Sequence, residues 1–136
     1  MISLLDTHLL LWAAAGSNRL PPKAADLIQD EANRLLFSAA SIWEVAIKAG
    51  LNRPDFKVSA GRLRRALFEN GYDELPISGR HAAAIANLPD IHKDPFDRIL
   101  VAQAQVEDLT LCTSDSVLAN YPGSIELFID AGFFGP

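Results

Sequence analysis

The sequence predicts a single α/β domain built on a parallel sheet with helices on both faces, and three observations lead there. Short apolar runs that suit strands alternate with amphipathic stretches that suit helices, so successive strands need helical crossovers and pair in parallel. The 136 residues are 49% hydrophobic, enough apolar material for one packed core and too much for a mainly disordered chain. Acidic residues recur just beyond the predicted strands, where open α/β sheets bind their ligands.

Ile2, Leu4 and Leu5 read as a short buried strand that stops at Asp6-Thr7, with a helix continuing through Leu10, Leu11 and Trp12. Pro21-Pro22 opens a second helix with Ala25, Leu27, Ile28 and Ala32 on its apolar face, since proline fits the first helical turn. Leu35-Leu36-Phe37 is too short for a helix and is the second strand. Ser41 begins another helix, apolar at Ile42, Val45, Ile47 and Ala49, with Gly50 placed to end it. Ser59 caps a helix to Asn70, and Gly71 is its stop. Leu75-Pro76-Ile77 is the third strand, short and weakened by its proline. Ser78 caps a helix from Ala82 to Leu88, and a loop from Asp90 to Lys93 leads to a long helix that starts at Asp94-Pro95. Leu109 to Thr113 is the most strand-like run, and Ile125 to Phe128 is the last. The series contains no internal repeat or linker, so residues 1–136 read as one domain.

A net charge of −5 argues against a protein that grips nucleic acid with its whole surface. Six of the 12 basic residues nevertheless fall together, as Lys48, Arg53, Lys57, Arg62, Arg64 and Arg65, with Asp55 the only acid among them. A local phosphate-binding edge and an ordinary solvated helix face account for that segment equally well. Cys112 has no partner for an internal disulfide and reads as a small core residue, which suits a cytoplasmic protein. The start has no basic leader, and Leu9 to Ala15 falls short of the ~20 residues of a membrane span, so neither export nor insertion is expected.

The acids at the strand ends carry the chemistry. Asp6 follows the first strand, Glu44 lies early in the helix after the second, Asp94 and Asp97 open the long helix, and Asp115 follows the fourth strand. The first and fourth strands are neighbours in a doubly wound sheet, so folding gathers these acids in one crevice. Carboxylates so gathered repel unless protons or cations hold them together. An all-oxygen cluster suits Mg²⁺ or Mn²⁺ and not Zn²⁺, since Cys112 is alone and no histidine pair has ligand spacing. Such an ion acidifies water and clamps phosphate oxygens, as phosphodiester hydrolysis requires.

Each acid but one also has a structural use. Ser41-Ile42-Trp43-Glu44 fits a capping box, Asp94 fits a helix cap, Asp97 meets a helix dipole, and Asp115 can cap a short helix from Val117 to Asn120. Asp6, at the end of a buried strand, has no equally ready structural role.

Four segments in order, Leu4-Leu5-Asp6-Thr7-His8-Leu9-Leu10-Leu11-Trp12, Ser38-Ala39-Ala40-Ser41-Ile42-Trp43-Glu44, His92-Lys93-Asp94-Pro95-Phe96-Asp97-Arg98-Ile99-Leu100-Val101-Ala102-Gln103-Ala104 and Leu111-Cys112-Thr113-Ser114-Asp115, resemble the ordered motifs of PIN domains. The third, with both Asp94 and Asp97, resembles the VapC toxins of type II toxin–antitoxin pairs. The resemblance implies a three-layer α/β/α fold with a five-stranded parallel sheet and Mg²⁺-dependent endoribonuclease activity. It also implies homodimers and a cognate antitoxin whose tail blocks the active site.

Carried over residue by residue, it makes Asp6, Glu44, Asp97 and Asp115 the catalytic metal ligands, with Asp94 contributing through water. Thr7, Ser41 and Thr113 fall where small hydroxyls orient ligands or phosphate, although Ser41 serves equally as a helix cap. Arg98 either reaches the scissile phosphate or pairs with an acid to hold the cluster folded. His8 and His92 read as incidental neighbours of the acids, and His81 has no motif partner. Trp12 and Trp43 read as core or dimer-interface anchors. Related readings are a structure-specific DNA nuclease, for which 136 residues leave little room, and a silent RNA-binding domain, against which the intact acid set counts.

Overall fold

The computed structural model describes residues 1–51 and 58–129. Arg53, Asp55 and Lys57 of the basic segment lie outside the described residues. Among the latter the chain runs β1 (Ile2–Leu5), α1 (Thr7–Ala15), α2 (Pro22–Gln29), β2 (Arg34–Ser38), α3 (Ala39–Gly50), α4 (Ala60–Glu69) and β3 (Asp73–Leu75). It continues with α5 (Gly79–Ala84), a 3-10 turn (Ile85–Asn87), α6 (Pro95–Glu107), β4 (Thr110–Thr113), a second 3-10 turn (Leu118–Asn120) and β5 (Ile125–Leu127). The five strands form one sheet in the order β3-β2-β1-β4-β5, all parallel.

Side-chain alternation along the strands builds a core on each face. Leu4 stands in register with Leu36 on β2 and Leu111 on β4, and all three pack under α6 with Leu100, Val101 and Ala104. Their neighbours Leu5, Leu35, Phe37 and Cys112 face the other way, against Leu9 and Leu10 of α1, Ala24 of α2, Val45 of α3 and Leu63 and Leu67 of α4. Cys112 is buried there as a core residue. The central strands are therefore covered on both faces, which is why they read as continuous apolar runs. From β1 the chain steps outward to β2 and β3, then returns to the opposite side of β1 for β4 and β5. The reversal places a topological switch point between the carboxyl ends of β1 and β4.

Several boundaries depart from the sequence reading, each for a local reason. Helix α3 starts at Ala39, not Ser41, because Ser38 at the end of β2 adopts extended backbone and accepts the Ala40 N–H. Helix α2 closes at Gln29, so Ala32 is no part of its apolar face, and Ala24 is the residue buried there. β3 ends at Leu75, before Pro76, which lacks the N–H a ladder needs. Ser78 does cap the next helix, but that helix begins at Gly79, three residues early, and tightens into a 3-10 turn before Leu88. Its cap is reciprocal with His81, whose Nδ1 accepts the Ser78 N–H at 2.9 Å while Nε2 lies 2.7 Å from Glu107. His81, without a partner in any motif, is thus a buried structural residue.

Helix α6 stops at Asp108, which takes the left-handed conformation (φ 56) more often left to glycine or asparagine. Trp12 packs against the core, as expected, whereas Trp43 is 56% exposed and its ring meets Phe96 edge-on at 5.1 Å, so Trp43 is no core residue. No helix among the described residues is long and apolar enough to cross a membrane.

Candidate active site

The switch point gathers acids from four segments of the chain. Asp6, one residue past β1, is buried and fixed at both oxygens: Oδ1 accepts the Leu9 N–H at 2.9 Å and Oδ2 accepts the Thr113 hydroxyl at 2.5 Å. The first bond makes Asp6 the N-cap of α1, a structural role that strand-end reasoning overlooked. Its carboxyl pKa is raised, because burial outweighs the stabilising bonds from Thr113 and Leu9 and the nearby His8. Thr113 Oγ1 also accepts the Asp115 N–H at 3.0 Å, so one hydroxyl at the end of β4 ties the first acid to the last.

Glu44 is buried on α3, a turn and a half past the helix start, and makes no capping box. Oε1 accepts the Thr7 hydroxyl at 2.8 Å and Oε2 lies 2.6 Å from Lys48 Nζ, one helical turn on. Ser41 Oγ lies 2.9 Å from Thr7 Oγ1 and extends this network. Ser41 and Glu44 are therefore joined through Thr7 rather than by reciprocal backbone bonds, which corrects the capping-box expectation for both.

Asp97 stands in the first turn of α6, and Asp94 is that helix's N-cap, accepting the Phe96 N–H at 2.8 Å. The Asp97 pKa is pushed up to about 7, first by burial and then by the charges of Asp94, Glu44 and Asp6, with His92 opposing. Asp115 caps the turn after β4 through Oδ1, which accepts the Val117 N–H at 2.9 Å. Oδ2 turns instead toward His92 Nε2 at 3.1 Å, and the same nitrogen lies 3.4 Å from Asp97 Oδ2. His92, Asp97 and Asp115 each offer a ligand atom, all within 4.8 Å of one another.

Two assignments change. His92, read as incidental, is in contact with two of the four acids; the available clue was its place two residues before a capping aspartate, where a ring nitrogen meets that residue's N–H. Among the described residues Arg98 pairs with no acid and instead donates to the carbonyls of Pro89, His92 and Ile85 and to the Tyr121 hydroxyl. Of the described residues of the basic segment, Lys48 is paired with Glu44 and Arg64 with Glu74. The Glu44 to Lys48 spacing was visible as a helical ion pair.

A family model described as PIN domain matches residues 3–124. The chain belongs to the PIN-domain family. PIN nucleases generally use divalent metals. Among solved structures, this PIN domain is similar to VapBC2 from Rickettsia felis bound to a DNA fragment of its promoter, at 15% identity, covering 94% of this chain and 99% of that one with a TM-score of 0.68. It is also similar to a toxin–antitoxin complex from Klebsiella pneumoniae (23% identity, 91% and 95% coverage, TM-score 0.64). A third is VapBC-1 from nontypeable Haemophilus influenzae (15% identity, 93% and 98% coverage, TM-score 0.58). At such identities the likeness is one of fold. A search of curated proteins found no match.

The donors fit a hard divalent cation. They are carboxylate oxygens gathered at the switch point, and burial, followed by the charges of Asp94, Glu44 and Asp6, pushes the Asp97 pKa up to about 7. A divalent cation held by these carboxylates would relieve the repulsion between them.

Proposed function

We propose that this PIN domain is a Mg²⁺- or Mn²⁺-dependent endoribonuclease, a toxin of the VapC type neutralised by a cognate antitoxin. The observation that carries the reading is Asp97, desolvated at the switch point of a PIN fold and raised in pKa by Asp94, Glu44 and Asp6. Asp6, Glu44, Asp97 and Asp115 are the proposed catalytic and metal-holding residues, and Asp94, engaged as a helix cap, contributes through water. When bound, the ion supplies an acidified water and charge neutralisation for a phosphodiester.

The chain's own part is to hold the acids ready. Asp6 is immobilised by Leu9 and Thr113, and Glu44 by Thr7 and Lys48, so neither must reorganise when a cation arrives. Each oxygen so engaged keeps a second lone pair for a further partner. Thr7, Ser41 and Thr113 act by orienting acids rather than by touching phosphate. Arg98 serves the framework of the loop before α6. The antitoxin occludes the acidic crevice with a basic segment, and the protein works as a homodimer in the cytoplasm. The toxin–antitoxin relatives support the antitoxin partner, and the cluster of acids supports a basic segment as the part that meets it.

Purified protein is expected to cut a structured RNA in Mg²⁺ or Mn²⁺, leaving 5′-phosphate and 3′-hydroxyl ends, and to stop in EDTA or as Asp97→Asn. Cleavage undiminished by chelator would remove the metal mechanism, and cleavage confined to DNA of the same sequence would move the reading to a DNA nuclease. Expression without antitoxin should arrest growth, and the Asp97→Asn protein should not.

A further inference from the structure

His92 is bonded at its backbone N–H, its carbonyl and both ring nitrogens. Its backbone N–H donates to the Tyr121 hydroxyl at 2.8 Å, and its carbonyl accepts from Arg98 Nη1 at 3.3 Å and from Tyr121 at 3.4 Å. Arg98 and Tyr121 are themselves joined at 3.1 Å, and Arg98 reaches on to the carbonyls of Pro89 and Ile85. The peptide carrying the ring is thereby clamped from both sides.

The ring is then oriented by its own two nitrogens. Nδ1 accepts the Asp94 N–H at 3.0 Å, which requires a lone pair there and leaves the proton of the neutral imidazole on Nε2. Nε2 faces Asp115 Oδ2 at 3.1 Å and Asp97 Oδ2 at 3.4 Å. An N–H in that place donates to a carboxylate. To bind a cation instead, Nε2 would have to give up its proton to Nδ1, where it would meet the Asp94 N–H head-on.

We infer that His92 is a positioning residue of the nuclease site: a fixed Nε2–H donor, clamped by Arg98 and Tyr121, that holds Asp115 beside Asp97 and is not itself a metal ligand. The inference rests on the metal reading above and adds to it a division of labour. Donors that orient ligating carboxylates typically change metal affinity by about 10–100-fold when removed. A glutamine places an amide N–H near the position of Nε2, whereas alanine places nothing there.

Two measurements test this. In metal-free protein at about pH 8, above the ordinary histidine range, long-range ¹H–¹⁵N NMR should show His92 as the Nε2–H tautomer with Nδ1 hydrogen-bonded; an Nδ1–H tautomer would overturn the inference. In Mn²⁺ titrations followed by EPR, His92→Ala should bind at least about tenfold more weakly, and His92→Gln should recover most of that loss. Failure of Gln to recover binding, or coupling of bound Mn²⁺ to an imidazole ¹⁵N, would also overturn it. Unchanged Mn²⁺ binding in Asp97→Asn would instead overturn the metal reading, and is recognised separately because the tautomer is measured without metal.

Discussion

Asp6 and Thr113 are 107 positions apart, and their 2.5 Å bond lies where water does not reach. A buried acceptor that loses its donor typically costs about 1–3 kcal/mol, because solvent cannot replace the bond. Thr113→Val keeps the side-chain shape and removes only the hydroxyl. It is expected to destabilise the fold by about that amount and to raise the Asp6 pKa further, since the Thr113 bond is the largest influence now lowering it. Urea unfolding gives the first quantity and a carboxyl NMR titration the second. Unchanged stability together with an unchanged Asp6 titration would mean that another donor takes over.

At the scale of elements, the start of α3 decides how its acid is presented. With Ser38 as N-cap, Ser41 and Glu44 sit inside the helix and both turn toward Thr7 on α1. Two serines that look alike in sequence should therefore behave differently. Ser38→Ala removes the cap and is expected to lower stability by about 1 kcal/mol, as for typical N-caps. Ser41→Ala leaves the cap intact and loosens the Thr7 to Glu44 network, so its main effect should fall on metal binding or RNA cleavage. Thermal unfolding and Mn²⁺ titration of the two variants separate these outcomes. A larger stability loss in Ser41→Ala than in Ser38→Ala would return the cap to Ser41.

For the whole molecule, the cluster makes stability depend on pH and on cations. The folded Asp97 holds its proton up to about pH 7, whereas the unfolded group releases it near its ordinary value of 3.8. Between those limits the native state binds more protons than the unfolded chain, so stability falls as pH rises from about 4 to about 7 and levels off beyond. The raised pKa of Asp6 acts in the same direction. Metal-free protein should thus melt at a higher temperature at about pH 5 than at about pH 8, with a difference on the order of a few kcal/mol at most. Mg²⁺ should restore more at the higher pH, where the carboxylates are charged, and Asp97→Asn should flatten the profile. A melting temperature that rises steadily across this window in EDTA would contradict the electrostatic account.

Which of these features can be read without a structure depends on how far apart in the chain their causes lie. Apolar runs and periodicity, proline and glycine placement, and acids just after strands are local properties, and they were enough for a parallel α/β domain with Asp6, Glu44, Asp94, Asp97 and Asp115 marked as candidates; the choice of Asp97 over Asp94 came from the resemblance to PIN domains. The helix cap at Asp94 was equally legible, because a cap involves neighbours only. Where two nearby residues compete for one role, local chemistry does not choose: Ser38 or Ser41 as cap, Leu75 or Ile77 as strand end. The choice falls to ladder register and to which side chain a neighbouring element engages. Strand order brought distant acids together on paper, but the individual side-chain contacts between distant segments were out of reach. The sequence by itself determined which residues bear charge and roughly where each stands on its own strand or helix. Only the tertiary structure decided that Thr113 binds Asp6, that Arg98 reaches Tyr121 and nearby carbonyls instead of an acid, and that His92 meets Asp115 beside Asp97, because the energy of each contact depends on a distance that exists only after the chain has folded.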